Sequence, residues 1–212
     1  MTQIWYRSPE FSATAMREFE ERLRRAREHN RSQYLRIKVV TLMQLESRDA
    51  DSTAAVLLQR LLRDYSSSRF EVNFAREELG RIHERAGRLI EAEQEYRRGD
   101  DGTCAFALAE LIIKTKQVSK YPEAALLLRK AAESGAFVLF NLARFRFCVA
   151  SAKLAKASGS AHDAAAFAQK ALDIAAIRTP QFSRHPTIGL VNPDLETLNE
   201  LRMLANVTAL TM

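Results

Sequence analysis

The feature that most constrains this chain is a stripe of apolar residues that doubles back on itself. Ala75, Leu79, Ile82, His83 and Ala86 recur at i, i+4, i+7, i+8 and i+11, which is one face of a helix. Gly87 interrupts the pattern, and Leu89, Ala92 and Tyr96 then resume it at i, i+3 and i+7. Two short helices joined by so tight a turn must lie antiparallel. Gly80 and Ala92, with no side chain or a minimal one, let the two backbones approach. One apolar flank of the hairpin is left over and requires neighbours.

The order from Ala75 to Gly99, A-x-x-x-L-G-x-x-H-x-x-x-G-x-x-x-x-A-x-x-x-Y-x-x-G, resembles the tetratricopeptide repeat, with Leu79, Gly80, Gly87, Ala92 and Tyr96 on its signature positions. It departs in carrying His83 where tyrosine is usual and Gly99 where alanine is usual, and in lacking a closing proline. A second hairpin is expected over 104–135, with Leu108, Leu111 and Ile112 facing Ala124, Leu128 and Ala131, and Pro122 in the first turn of its second helix. A third, over 137–177, places Phe140, Ala143, Phe147, Ala150 and Leu154 opposite Ala164, Ala168, Ala171 and Ala175. The markers Ala92, Ala124 and Ala164 are 32 and 40 residues apart, straddling the ~34 of a regular unit. Residues 123–143 also resemble a Sel1-like repeat. Either resemblance implies an all-α fold, an α-α superhelix of stacked antiparallel helix pairs.

The flanks fit the same scheme. An N-terminal helix is expected over 8–30, beginning near Ser8 or Ser12 and carrying Met16, Phe19, Leu23 and Ala26. A degenerate pair over 33–66 sets Leu35, Val39, Leu42 and Met43 against Ala54, Leu58, Leu61 and Tyr65, with Asp51 or Ser52 as the cap of its second helix. The three prolines of 178–194 predict an extended segment, and Leu195, Leu198, Leu201 and Leu204 a last helix. Together, residues 178–212 form a terminal cap or lay Ile188, Leu190 and Val191 along a groove. The whole chain, 1–212, reads as a single helical-repeat domain.

Little in the sequence suggests bond-making chemistry. The four histidines are scattered, without the spacing of metal ligands, and no phosphate-binding or hydrolytic signature occurs. No catalytic residue, metal site or cofactor is expected. No stretch reaches the ~18 apolar residues of a membrane span, the N-terminus lacks the order of a secretion signal, and Cys104 and Cys148 lie in apolar helical text that favours buried thiols. A cytoplasmic chain without membrane contact is expected.

Charge and fold then point to binding. The net charge of +6 is concentrated in the second half, and residues 114–156 hold nine basic groups against Glu123 and Glu133. The arginine-rich run 22–31 is interleaved with Glu20, Glu21 and Glu28, as in a solvated helix face. The repeat resemblance implies a non-catalytic protein-protein interaction scaffold or adaptor that takes a peptide or helix of an acidic or mixed-charge partner in a concave, partly basic groove. Ligand-facing positions implied by that resemblance are Glu77, Arg81 and Glu84, then Ala109, Ile113 and Lys116, with Asn141, Arg144 and Lys153 on the third unit. The other reading is a nucleic-acid-binding or regulatory protein using the basic 114–156 surface.

Overall fold

The computed structural model describes residues 4–135, 140–183 and 188–206. Among these the fold is all-α: ten α-helices, short 3-10 turns at Trp5–Arg7 and Val118–Lys120, and no β-strand. The chain forms two compact units, Met1–Asp100 and Asp101–Met212.

The first unit contains α1 (Ala13–Arg25), α2 (Glu28–Met43), α3 (Arg48–Asp64), α4 (Arg69–Arg85) and α5 (Leu89–Arg98). Sequential neighbours pack on each other: α2 on α3, α3 on α4, and α4 on α5. Leu35, Leu42, Leu58, Leu61 and Ala75, all fully buried, make the core where these faces meet. Ser12 caps α1, its hydroxyl accepting the Ala15 N–H at 3.2 Å, and Ser68 caps α4 through the Glu71 N–H at 3.4 Å. Gly87, at φ +73°, makes the left-handed turn between α4 and α5 that a side chain would strain.

Several local expectations are corrected in this unit. The helix expected over 8–30 is two helices, because the backbone extends at Ala26 and α2 starts at Glu28. Arg31 makes the break tolerable: its guanidinium reaches back to the carbonyls of Arg24 (2.9 Å) and Ala26 (3.1 Å), which the end of α1 leaves unpaired. Neither Asp51 nor Ser52 caps α3, which begins earlier, at Arg48; Asp51 instead accepts from Arg85 at 2.5 Å. Leu89 and Ala86, placed on the apolar stripe by their spacing, are exposed at the helix ends.

Before α1, Lys38 anchors the first residues. Its side chain is 1% exposed and its ammonium donates to the carbonyls of Ser8 (2.7 Å) and Glu10 (2.6 Å). Trp5 and Tyr6 tuck beside it, with Tyr6 stacked on Tyr34 at 4.5 Å and Trp5 against Phe19 at 5.4 Å between ring centres.

The second unit contains α6 (Gly102–Lys114), α7 (Tyr121–Glu133), α8 (Asn141–Ala157), α9 (Ala161–Ala175) and α10 (Leu195–Asn206). Gly102, at the start of α6, lies against Ser134 just past the end of α7, so this pair is antiparallel. Asp101 caps α6 by accepting from the N–H groups of Thr103 (3.1 Å) and Cys104 (2.9 Å), and Pro122 stands in the first turn of α7. Next, α8 packs on α6 and α7, and pairs with α9 across the turn 158–160.

Ala164, Ala168, Ala171 and Ala175 form the buried face of α9. On α8 the expected stripe is only half right: Ala150 and Leu154 are buried, but so are Phe145, Cys148 and Ala152, whereas Phe140 is exposed. A helix contacted by α6, α7, α9 and α10 buries a broad arc, so no single stripe describes it. Finally, α10 closes the unit, with Leu201, Leu204 and the preceding Val191 in the α8–α9 core.

Candidate functional site

The residues singled out by sequence divide between the two units. In the first, Glu77, Arg81 and Glu84 occupy successive turns of α4 and are all half-buried. Arg81 donates to Glu77 at 2.6 Å and has Glu78 within 4.0 Å. Burial opposes its charge, but the two carboxylates outweigh that penalty and hold the guanidinium more firmly protonated than usual. Glu84 accepts the Tyr96 hydroxyl at 2.5 Å. Burial, then this carboxylate, push the phenol well above its ordinary range. These side chains satisfy one another, so the cluster fastens α4 to α5 before it offers anything to a ligand. His83, next to it, accepts from Arg88 at 3.0 Å, and burial followed by the Arg88 charge lowers its pKa.

In the second unit three of the six expected positions are corrected. Ala109 is fully buried and Ile113 nearly so, because α6 is apolar around most of its circumference. Asn141 is also buried: its amide donates to the Gly189 carbonyl and its backbone N–H to Gln181, each at 3.1 Å. It therefore pins the residues after α9 to the start of α8. Lys153 pairs with Glu200 on α10 at 2.8 Å. Lys116, in the turn after α6, and Arg144, on the first turn of α8, remain exposed.

The basic segment 114–156 is not one uniform patch. Arg146 is engaged by Glu110 and lies 5.4 Å above the Phe106 ring. Lys114, Lys116 and Lys120 stand at the α6–α7 turn, while Arg129 and Lys130 belong to the far half of α7, about 13 Å along the helix.

No family model matches the chain, and no curated protein or solved structure does. The geometry of the molecule is therefore the basis for any reading of function. Among the described residues no group of three or more potential metal ligands comes together, and no helix is long and apolar enough to cross a membrane. His162 is exposed beside Asp163, and His185 lies outside the described residues.

One open feature is not legible in the sequence: a cleft of about 900 Å³ between α1 and α3 in the first unit. Leu23 and Leu57, both core residues, show at its base; Met16 is half-buried on one wall and Val56, 64% exposed, stands on the other. Arg17, Arg24, Arg31 and Arg60 rim it, together with Glu20 and Glu21. Both carboxylates already have partners: Glu20 is gripped by Arg60 through both oxygens (2.7 and 2.8 Å), and Glu21 pairs with Arg25 at 2.6 Å. Arg17 donates only to the Thr14 hydroxyl, and neither it nor Arg24 has an acidic partner among the described residues. The signal was present as arginines seven apart on α1 and a valine on the polar side of α3. Residue order does not join the two, because they lie on separate helices, α1 and α3.

Proposed function

We propose that this chain is a non-catalytic interaction scaffold, a helical-repeat protein of the tetratricopeptide or Sel1-like kind, which binds a peptide or helix of a partner protein in the cytoplasm. The observation that carries this reading is the α1–α3 cleft, with apolar side chains at its base and walls and charge at its rim. Successive antiparallel hairpins support it further, since such pairs present side chains on a fixed frame. Arg144 and Lys116 remain available as steering charges on the second unit.

Affinity capture from the native cell, with a nuclease-treated control, tests this reading. A defined protein should survive nuclease and then bind the purified chain directly. Charge reversal at Arg81, Lys116 and Arg144 together tests whether the positions implied by the repeat resemblance contribute; unchanged binding by that triple variant removes them from the interface.

A second reading has its own support. Lys116, Arg129, Lys130, Arg144 and Lys156 are exposed and have no acidic partner among the described residues, as a phosphate-binding surface requires. It predicts that nuclease releases what co-purifies and that affinity falls steeply with salt. Their distribution over the turn after α6, the far half of α7 and both ends of α8 favours the scaffold.

A further inference from the structure

The cleft in the first unit carries more information than its existence. Its volume, about 900 Å³, matches two turns of α-helix, a cylinder roughly 10 Å across and 11 Å long that occupies roughly 860 Å³. Along α1, Arg17 and Arg24 are seven residues apart and so stand about 10.5 Å from each other on one face. Ser52, Val56 and Arg60 follow i, i+4, i+8 on α3, a ridge of the kind that seats into the grooves of another helix.

Secondary structure follows from the walls. Both are helices whose backbone groups are bonded internally, so an extended peptide finds no main-chain partners there. A helix brings its own hydrogen bonds and asks only for side-chain complementarity. The sign of the charge follows from the rim. With Glu20 and Glu21 already occupied, Arg17 and Arg24 are left without acidic partners, and Arg31 spends its donors on neutral carbonyls.

We infer that the α1–α3 cleft receives an acidic amphipathic helix of a partner protein, its apolar face against Met16 and Val56 and its carboxylates against Arg17 and Arg24. This rests on the scaffold reading but assigns the site and the partner's chemistry. Long-range attraction from the arginines orients the approach, and burial of the apolar stripe against Val56 and Met16 holds the docked helix. The Glu20–Arg60 bridge crosses between the two walls and sets their separation at one level of the cleft.

The test is a selection followed by a charge map. A phage-displayed library of random peptides of about 16 residues, enough for four turns, is panned on the full chain at physiological salt. Enriched peptides are then measured by fluorescence anisotropy on purified protein. The expected result is enrichment of acidic, helix-forming sequences whose affinity falls about tenfold or more on Val56→Glu, and again on Arg17→Glu with Arg24→Glu. Lys116→Glu with Arg144→Glu should leave it unchanged. Val56 and both arginines are exposed, so these variants retain the fold; circular dichroism melts verify that.

Peptides that lose binding on the Lys116 and Arg144 reversal but not on the α1 and α3 changes overturn the cleft assignment and leave the scaffold reading standing. No enrichment overturns both. A single-stranded oligonucleotide that binds and is released by the Arg17 and Arg24 reversal also overturns the proposal, in favour of a phosphate ligand.

Discussion

Gly80 lies flat against the ring of Tyr96, so close that a Cβ built on Gly80 falls inside the ring's van der Waals surface. The ring cannot swing away, because Tyr96 is fully buried and its hydroxyl is tied to Glu84 at 2.5 Å.

Gly80→Ala therefore tests whether helix propensity or packing decides at this position. Alanine favours the helix by up to about 1 kcal/mol, whereas forcing a methyl into a filled site costs about 1–3 kcal/mol. A net loss of up to about 2 kcal/mol is expected in urea denaturation. The double variant with Tyr96→Leu should lose less than the sum of the two single losses.

The Tyr96 phenol also sets a pH dependence. Its pKa is raised in the folded chain, so folding favours the neutral form. The associated stability is fully present below the unfolded phenol's pKa of about 10 and is lost as the pH climbs above that value toward the folded pKa. Denaturant midpoints for the parent should fall more steeply above that pH than those of Tyr96→Phe. Parallel curves would show that the hydroxyl has no such role.

Lys38 gives a prediction that the single tryptophan can report. Lys38→Met keeps the aliphatic stem but removes both donors to Ser8 and Glu10, leaving their carbonyls without the ammonium. A loss of about 1–3 kcal/mol is expected. Trp5 emission should shift to the red as the segment held by those carbonyls loosens from Phe19 and Tyr34. Unchanged emission would separate Lys38 from the packing of Trp5.

Asp101 accepts two backbone N–H groups at the start of α6. Asp101→Ala should destabilise the chain by about 1 kcal/mol, and Asp101→Asn by much less, since its side-chain oxygen can still accept. Thermal melts of the two variants make the comparison, and equal losses would mean that charge at the helix end, not the hydrogen bonds, is what counts.

Much of the architecture is legible in residue order because burial on a helix has a period. Ala75, Leu79 and Ile82, or Ala164, Ala168, Ala171 and Ala175 on α9, are buried where that period puts them. Turns follow the same logic where a residue's own backbone preference decides, as at Gly87 and Pro122. The division between α1 and α2 is not legible in this way. Ala26 and Arg27 are ordinary helix residues, and what makes the break tolerable is Arg31, which folds back to satisfy the freed carbonyls.

The candidate site shows the same boundary more sharply. The repeat resemblance implies Glu77, Arg81 and Glu84 as ligand-facing positions, but residue order could not tell that they pair with one another and with Tyr96. Nor could it reveal that Ala109, Ile113 and Asn141 face inward, since α6 and α8 have no narrow apolar stripe from which an outer side can be read.

What the order of residues determined by itself is the sequence of helices and most of the faces they bury, because those depend on neighbours within one or two turns. Only the tertiary structure decided which charged side chains are spent on each other and which are left facing solvent. That is a matter of distance between helices: Arg60 reaches Glu20 from forty residues away, and in doing so leaves Arg17 and Arg24 as the uncompensated charges of an apolar-based cleft.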